Sequence, residues 1–535
     1  MGLADRVRVM WPAAATVPPR WRIEPVEQRE YLVGGVLRRW EGPLQRVLSP
    51  ICLDDGAGPR RAELGAYPLL TEPEALAALE AAVAAWADGR GAWPTASLAE
   101  RASCVEEFTR RLAGVREEVA GLLMWETGKT AADSEREFER TLRYLAATVE
   151  AAKDMERASS RLESQEGIFG QARRAPLGVA LCLGPYNYPL NETLATLIPA
   201  IIMGNPVIYK PPRLGVLLHR PLLGLFRDCF PPGVVNTVYG EGERVVAPLM
   251  ASGKIGVLAF IGTSRVAGLL RGQHPAPHRL HCVLGLEAKN AAIVLPDADL
   301  ELAATECLTG SLAFNGQRCT AIKIIFAHRA VADQLTGRLA EGLNGLRFGM
   351  PWEEGVSLTP LAEEGKPAWL AGLVEDAKRH GARVMNEGGG LISETYFHPA
   401  LLYPVSRQSR LYREEQFGPI IAVAPYASLE EPVRYVIGSP YGQQVSLFGR
   451  NPDELGRLID SLINQVGRVN LNSKCQRGPD TFPFVGRKDS GTGTFSVADA
   501  LSAFSVRAVV AAKETPLNKV VVDDILQGRR SRFMS

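Results

Sequence analysis

Between residues 178 and 287, continuous apolar runs of strand length recur with helix-like segments between them. These runs are "GVALCLGP" (178–185), "PVIYKP" (206–211), "VVNTVYG" (234–240), "IGVLAFIG" (255–262) and "CVLGLE" (282–287). A strand apolar on both sides must be covered on both faces, and intervening helices supply that cover. The pattern therefore predicts an α/β fold with an open parallel sheet. Ligands of such sheets bind beyond the carboxyl ends of the strands, which singles out the loops "GPYNYP", "YKPPR" and "GTSR". A second α/β unit is expected from about 291, with strands at "AAIVLP", "AIKIIFAH" (321–328), "GPIIAVAPY" (418–426) and "QVGRVNLNS" (465–473).

Helical periodicity dominates from "EPEALAALEAAVAAWADG" (72–89) to about 163. Residues 1–60, rich in Pro and Arg, show no clean period and read as an irregular arm. The expected division is an arm over 1–60, a dinucleotide-binding unit over 61–290 and a catalytic unit over 291–490. A β-like oligomerisation segment over 491–515 and a tail over 516–535 complete it. The segment includes "VRAVVAAK" (506–513), which can extend a partner's sheet.

A chain of 535 residues needs two or three cores. Its 60 Lys+Arg against 59 Asp+Glu create no global field for nucleic acid or a membrane surface. The longest apolar run, "LATLIPAIIM" (194–203), is too short to span a bilayer, and the start of the chain is a poor signal peptide. Eight scattered cysteines without a CxxC pair argue against a disulfide framework and fit a reducing cytoplasm. "HPAPHRLH" (274–281) spaces three histidines helically, but two prolines break the helix and no thiol or carboxylate completes a metal site. It reads as a solvated loop, and no metal is expected.

One cysteine stands apart. In "FNGQRCTA" (314–321), Cys319 follows Gly316, Gln317 and Arg318. A glycine hinge exposes a sulfur, and a neighbouring cation favours thiolate or attracts an anionic substrate.

"FNGQRCTA", "GPYNYPLN" (184–191), "YKPPR" (209–213), "EEQFGP" (414–419) and "NSKCQRG…FPFVGRKDSG" (472–491) together resemble the aldehyde dehydrogenase superfamily over about 70–515. The Gln-Arg before Cys319, the Tyr after Asn187 and the "QRG" look like the non-phosphorylating, NADP-dependent glyceraldehyde-3-phosphate dehydrogenases. The resemblance implies two open α/β domains and a small β oligomerisation element, in a dimer or tetramer. It makes Cys319 the nucleophile, with the Asn187 amide and the Cys319 N–H as oxyanion donors. It places Glu415 and Lys210 on the two cofactor riboses, with Gly262 and Thr263 at the pyrophosphate. Where relatives that prefer NAD carry an acid, this chain has Arg213, which suits a 2′-phosphate and points to NADP. Arg318, Arg477 and Tyr188 would hold a substrate phosphate. A further helix arginine is expected, and Arg140 and Arg143 are both candidates.

The chain also departs from the family. The usual base is the glutamate of "LELGGK"; here "LGLEAK" (284–289) puts Gly285 at that place and Glu287 two residues on. On an extended strand that shift moves the carboxylate roughly 6.6 Å along the same face. Glu287 activates the deacylating water, the base lies elsewhere, or the acyl group passes to coenzyme A. The cofactor turn "GTSRVAG" (262–268) has Arg265 in place of a small residue, and no GxGxxG is present. The expected activity is oxidation of glyceraldehyde 3-phosphate to 3-phosphoglycerate. Its rivals are a dehydrogenase of another anionic aldehyde, a coenzyme A-acylating one, and a catalytically silent nucleotide-binding scaffold.

Overall fold

The computed structural model describes residues 2–534. Its first large sheet runs Val235–Thr237, Val207–Lys210, Val179–Leu183, Ile255–Ile261, His281–Gly285, with Gly491–Thr492 closing the edge. All pairs are parallel except the last. The chain builds outward from Val179–Leu183 in one direction, then returns to Ile255–Ile261 and builds the other way. A crevice opens at such a reversal, where the loops after the two central strands diverge.

The second sheet orders Arg383–Val384, Ala400–Tyr403, Ile420–Tyr426, Ile324–His328, Ala291–Val294, Gln444–Phe448 and Arg468–Leu471. Its strands pack apolar side chains on both faces. Ile293, Ile324 and Phe326 enter one buried cluster, whereas their neighbours Ala292, Val294, Ile325 and Ala327 enter another. That period of two explains why these strands read as unbroken apolar runs.

Residues 1–60 do not form the irregular arm expected. Leu3–Arg8 is helical, Glu30–Val33 and Val36–Arg39 form a hairpin, and Leu44–Asp54 pairs antiparallel with Pro59–Pro68. Register shifts between Val47 and Cys52 break the alternation that would have marked the long strand. The hairpin did carry a signal: Gly34 and Gly35, at φ +62° and +80°, supply the left-handed pair that a two-residue turn needs. "HPAPHRLH" is likewise not fully solvated. His274 is buried, with Nε2 3.1 Å from the Ile255 carbonyl, while His278 and His281 are exposed.

The strand Ser505–Lys513 pairs with Ile168–Pro176 of its own chain and lies at the edge of that small sheet. No helix among the described residues is long and apolar enough to cross a membrane.

Glu126 ties the helix Arg116–Thr127 to the short helical turn Leu217–His219. Its fully buried carboxylate accepts the N–H groups of Leu217 (3.0 Å) and Leu218 (2.9 Å). Burial pushes its pKa from 4.5 up to about 7, against those hydrogen bonds. The folded protein thus holds a proton that the unfolded chain releases between these values. Stability is full below about pH 4.5 and falls as pH rises towards 7, by up to about 3 kcal/mol. Denaturant midpoints from pH 5 to 8 should show this decline, and Glu126→Gln should flatten it.

Candidate active site

A cavity of about 900 Å³ lies at the sheet reversal, between the two α/β units. All three loops singled out by the strand pattern reach it: Gly184–Tyr188, Pro212–Leu214 and Gly262–Thr263. Cys319, Arg318, Glu415, Arg477 and Phe495 also line it.

Cys319 is presented by a distorted turn. After the helix Leu300–Leu312, Phe314 (φ 49°), Asn315 (φ 51°) and Gly316 (φ 69°) are all left-handed. Such backbone costs about 1–3 kcal/mol at each non-glycine residue and persists only when its surroundings fix it. Here Asn315 is held by Thr359 in both directions, donating to Oγ1 (2.9 Å) and accepting its N–H (3.0 Å). Gly316 is sterically required, because a Cβ there would stand 2.6 Å from the Gly418 carbonyl oxygen. Asn290 Nδ2 donates to the Cys319 carbonyl at 2.8 Å and fixes the far side.

The expectation that the adjacent cation lowers the thiol pKa is corrected. Burial pushes the Cys319 thiol up, and Glu192 adds to this; Lys323 and Arg477, rather than Arg318, oppose it. The sulfur is thereby biased towards its protonated form and becomes reactive when the proton is removed.

Asn187 is buried, and its Nδ2 donates to the Gln317 carbonyl at 3.0 Å, which brings the amide alongside the cysteine turn. Its second amide hydrogen and the Cys319 N–H remain for an oxyanion; the latter has no hydrogen-bond partner among the described residues. Behind this loop, buried Lys129 pairs with Glu137, donates to the Asn187 carbonyl (2.9 Å) and sits 3.9 Å from the centre of the Tyr188 ring. Glu137 in turn accepts the N–H groups of Leu190 and Asn191, both at 3.1 Å.

Of the two candidates, Arg140 lines the cavity, while Arg143 is exposed on the same helix. The tunnel arginines already have carboxylate partners. Arg140 grips Asp480 at 3.0 and 2.6 Å, and Arg477 pairs with Glu192 and lies 3.4 Å from Asp480. Arg318 differs: it donates to Thr320 Oγ1 at 3.0 Å and forms no ion pair among the described residues. Sequence reasoning missed Glu192 and Asp480. The signal for Glu192 was the lone charged residue in the buried helix Asn191–Ile202.

At the cofactor end, Arg213 is exposed on the cavity wall. Lys210 lies behind it at the strand end, and burial together with Arg213 pushes its pKa down to about 8. Thr263 caps the helix Ser264–Gln273, its side chain accepting the Val266 N–H. Glu415 is held by Lys323 (2.9 Å) and the Ala288 N–H (3.3 Å). Glu287 accepts the Ser264 N–H at 2.7 Å, which sets its carboxylate on the first turn of the cofactor helix. A Cβ at Gly285 would stand 3.2 Å from the Phe495 ring, so a larger side chain there requires that ring to shift.

Comparison with known proteins places this arrangement. Residues 59–510 match the aldehyde dehydrogenase family. The NADP-dependent glyceraldehyde-3-phosphate dehydrogenase of Streptococcus equinus is 32% identical over 464 residues, 85% of this chain and 93% of that one. The sulfoacetaldehyde dehydrogenase of Neptuniibacter caesariensis is 28% identical over 416 residues, 76% of this chain and 88% of that one. The solved NADP-dependent glyceraldehyde-3-phosphate dehydrogenase of Bacillus halodurans C-125, complexed with NADP, superposes with a TM-score of 0.83 at 28% identity. The superposition covers 92% of this chain and 100% of that one. A match of this length and identity settles the family: the chain belongs to the aldehyde dehydrogenases.

Proposed function

We propose that this chain oxidises glyceraldehyde 3-phosphate to 3-phosphoglycerate with NADP. The carrying observation is Cys319 beside the Asn187 amide, with the unpaired Arg318 lining the same cavity. Cys319 gives its proton to solvent and its sulfur adds to the aldehyde carbon, and the Asn187 amide and Cys319 N–H hold the oxyanion. NADP held at the Arg213 end would supply the hydride acceptor, and the Cys319 sulfur would then carry the acyl group as a thioester. Water then attacks the acyl carbon and passes its proton to a carboxylate, and the Cys319 sulfur departs. Glu287 is that carboxylate, once it leaves the Ser264 N–H. Arg213 and Lys210 suit a 2′-phosphate, Glu415 a ribose hydroxyl, and the N–H groups at Ser264 a pyrophosphate.

Asn187→Ala should lower kcat by about 10²-fold with little change in KM, since the lost bond matters mainly in the transition state. Arg318→Met should lower kcat/KM for glyceraldehyde 3-phosphate by roughly 10–100-fold, the worth of one charge-assisted bond, and leave unphosphorylated glyceraldehyde unchanged. Equal losses on both aldehydes would remove Arg318 from substrate recognition.

A second reading is favoured by the pairing of Arg140 and Arg477 with Asp480 and Glu192. With those cations neutralised, a smaller anionic aldehyde held by Arg318 alone fits the tunnel, and one relative is a sulfoacetaldehyde dehydrogenase. Comparing kcat/KM for the two aldehydes decides between them. We also read the chain as a cytoplasmic homo-oligomer, joined through the edge strand Ser505–Lys513, on which Val506, Val509 and Val510 are exposed.

A further inference from the structure

A second cavity, of about 570 Å³, shares no lining residue with the first. Four arginines line it: Arg101 from the helix Leu98–Leu112, Arg173 and Arg174 from the strand Ile168–Pro176, and Arg532 from the C-terminal segment. One carboxylate, Glu156, stands among them and is paired with Arg173 at 2.8 Å. Arg532 lies 3.9 Å from Glu100, and Arg174 donates to the Ser502 and Ser505 carbonyls.

Arg101 has no such partner. Its side chain is only 7% exposed, yet it forms neither a hydrogen bond nor an ion pair among the described residues, and its Nε is buried and unsatisfied. Burial lowers its pKa to about 10, so it keeps its charge at neutral pH. A guanidinium whose Nε is buried and unsatisfied is costly, even with the charges of Glu156 and Glu100 acting on it, and a bound anion would complete it. Trp86, Leu98 and Phe533 give the same cavity apolar walls that suit a carbon skeleton.

We propose that this cavity is a binding site for a small organic phosphate, held by Arg101 with Arg174 and Arg532 and separate from the Cys319 cavity. The guanidinium fork of Arg101 offers two parallel N–H donors to phosphate oxygens, and the neighbouring arginines balance a second negative charge.

The test is calorimetric titration of the full-length protein with inorganic pyrophosphate, compared with Arg101→Met and Arg532→Gln. Pyrophosphate also meets the arginines around Cys319, so the difference between proteins carries the result. One equivalent of binding should weaken at least about tenfold in Arg101→Met and several-fold in Arg532→Gln. Arg318→Met should leave that equivalent intact. Unchanged binding in Arg101→Met overturns the proposal. The melting temperature without ligand gives an independent reading. Removal of an unpaired buried cation should leave it equal or higher, whereas a lower value makes Arg101 a structural residue and overturns the site. Because Arg101 and Arg532 line a cavity apart from Cys319, failure here leaves the reading of Cys319 untouched.

Discussion

Cys319→Ala should lower aldehyde oxidation by on the order of 10⁴-fold or more while leaving NADP binding intact. The covalent step has no substitute atom, and loss of a nucleophile that acts as part of a unit removes nearly the whole advantage of that unit. Seven other cysteines provide the control, none of which lines the cavity. Cys307 is buried in an apolar cluster and its thiol is driven strongly up. A cavity-sized thiol reagent should therefore label Cys319 before Cys307. Because the Cys319 thiol is raised above its ordinary 9.0, labelling should keep accelerating as pH rises past that value. Labelling no faster than at Cys307 would support the silent-scaffold alternative.

Glu287→Gln should slow steady turnover by on the order of 10³-fold and spare the first burst of NADPH, because Glu287 takes the proton of the hydrolytic water and not that of Cys319. The geometry sets up a direct comparison. Glu287 rests on the Ser264 N–H, whereas Glu192 is the carboxylate that acts most strongly on the Cys319 thiol. If Glu192→Gln stalls after a burst and Glu287→Gln does not, the base is Glu192. Should neither variant change the balance of burst and steady rate, no cavity carboxylate activates the water.

The large sheets were legible because each strand is buried on both faces and each loop beyond it carries punctuation. "GPYNYP", "YKPPR" and "GTSR" could thus be placed on one cavity before any coordinates. The cysteine turn was legible for a similar reason, since Gly316 can be replaced by nothing larger. Residues 1–60 were opaque because their longest strand shifts register and loses its alternation. Around Cys319, what escaped was pairing over long separations. Arg477 and Glu192 lie 285 residues apart, and Arg140 and Asp480 lie 340 apart. No local pattern reveals that a tunnel arginine already has a carboxylate, or that burial outweighs nearby cations at a thiol.

The most direct test follows NADPH formation by the purified protein with glyceraldehyde 3-phosphate and NADP, in buffer free of inorganic phosphate and coenzyme A. The account predicts a linear steady phase in which NADPH exceeds the enzyme many times over, with one 3-phosphoglycerate for each NADPH. A single burst equal to the enzyme present, resuming only when coenzyme A is added, would contradict hydrolysis and make the chain an acyl-transferring dehydrogenase.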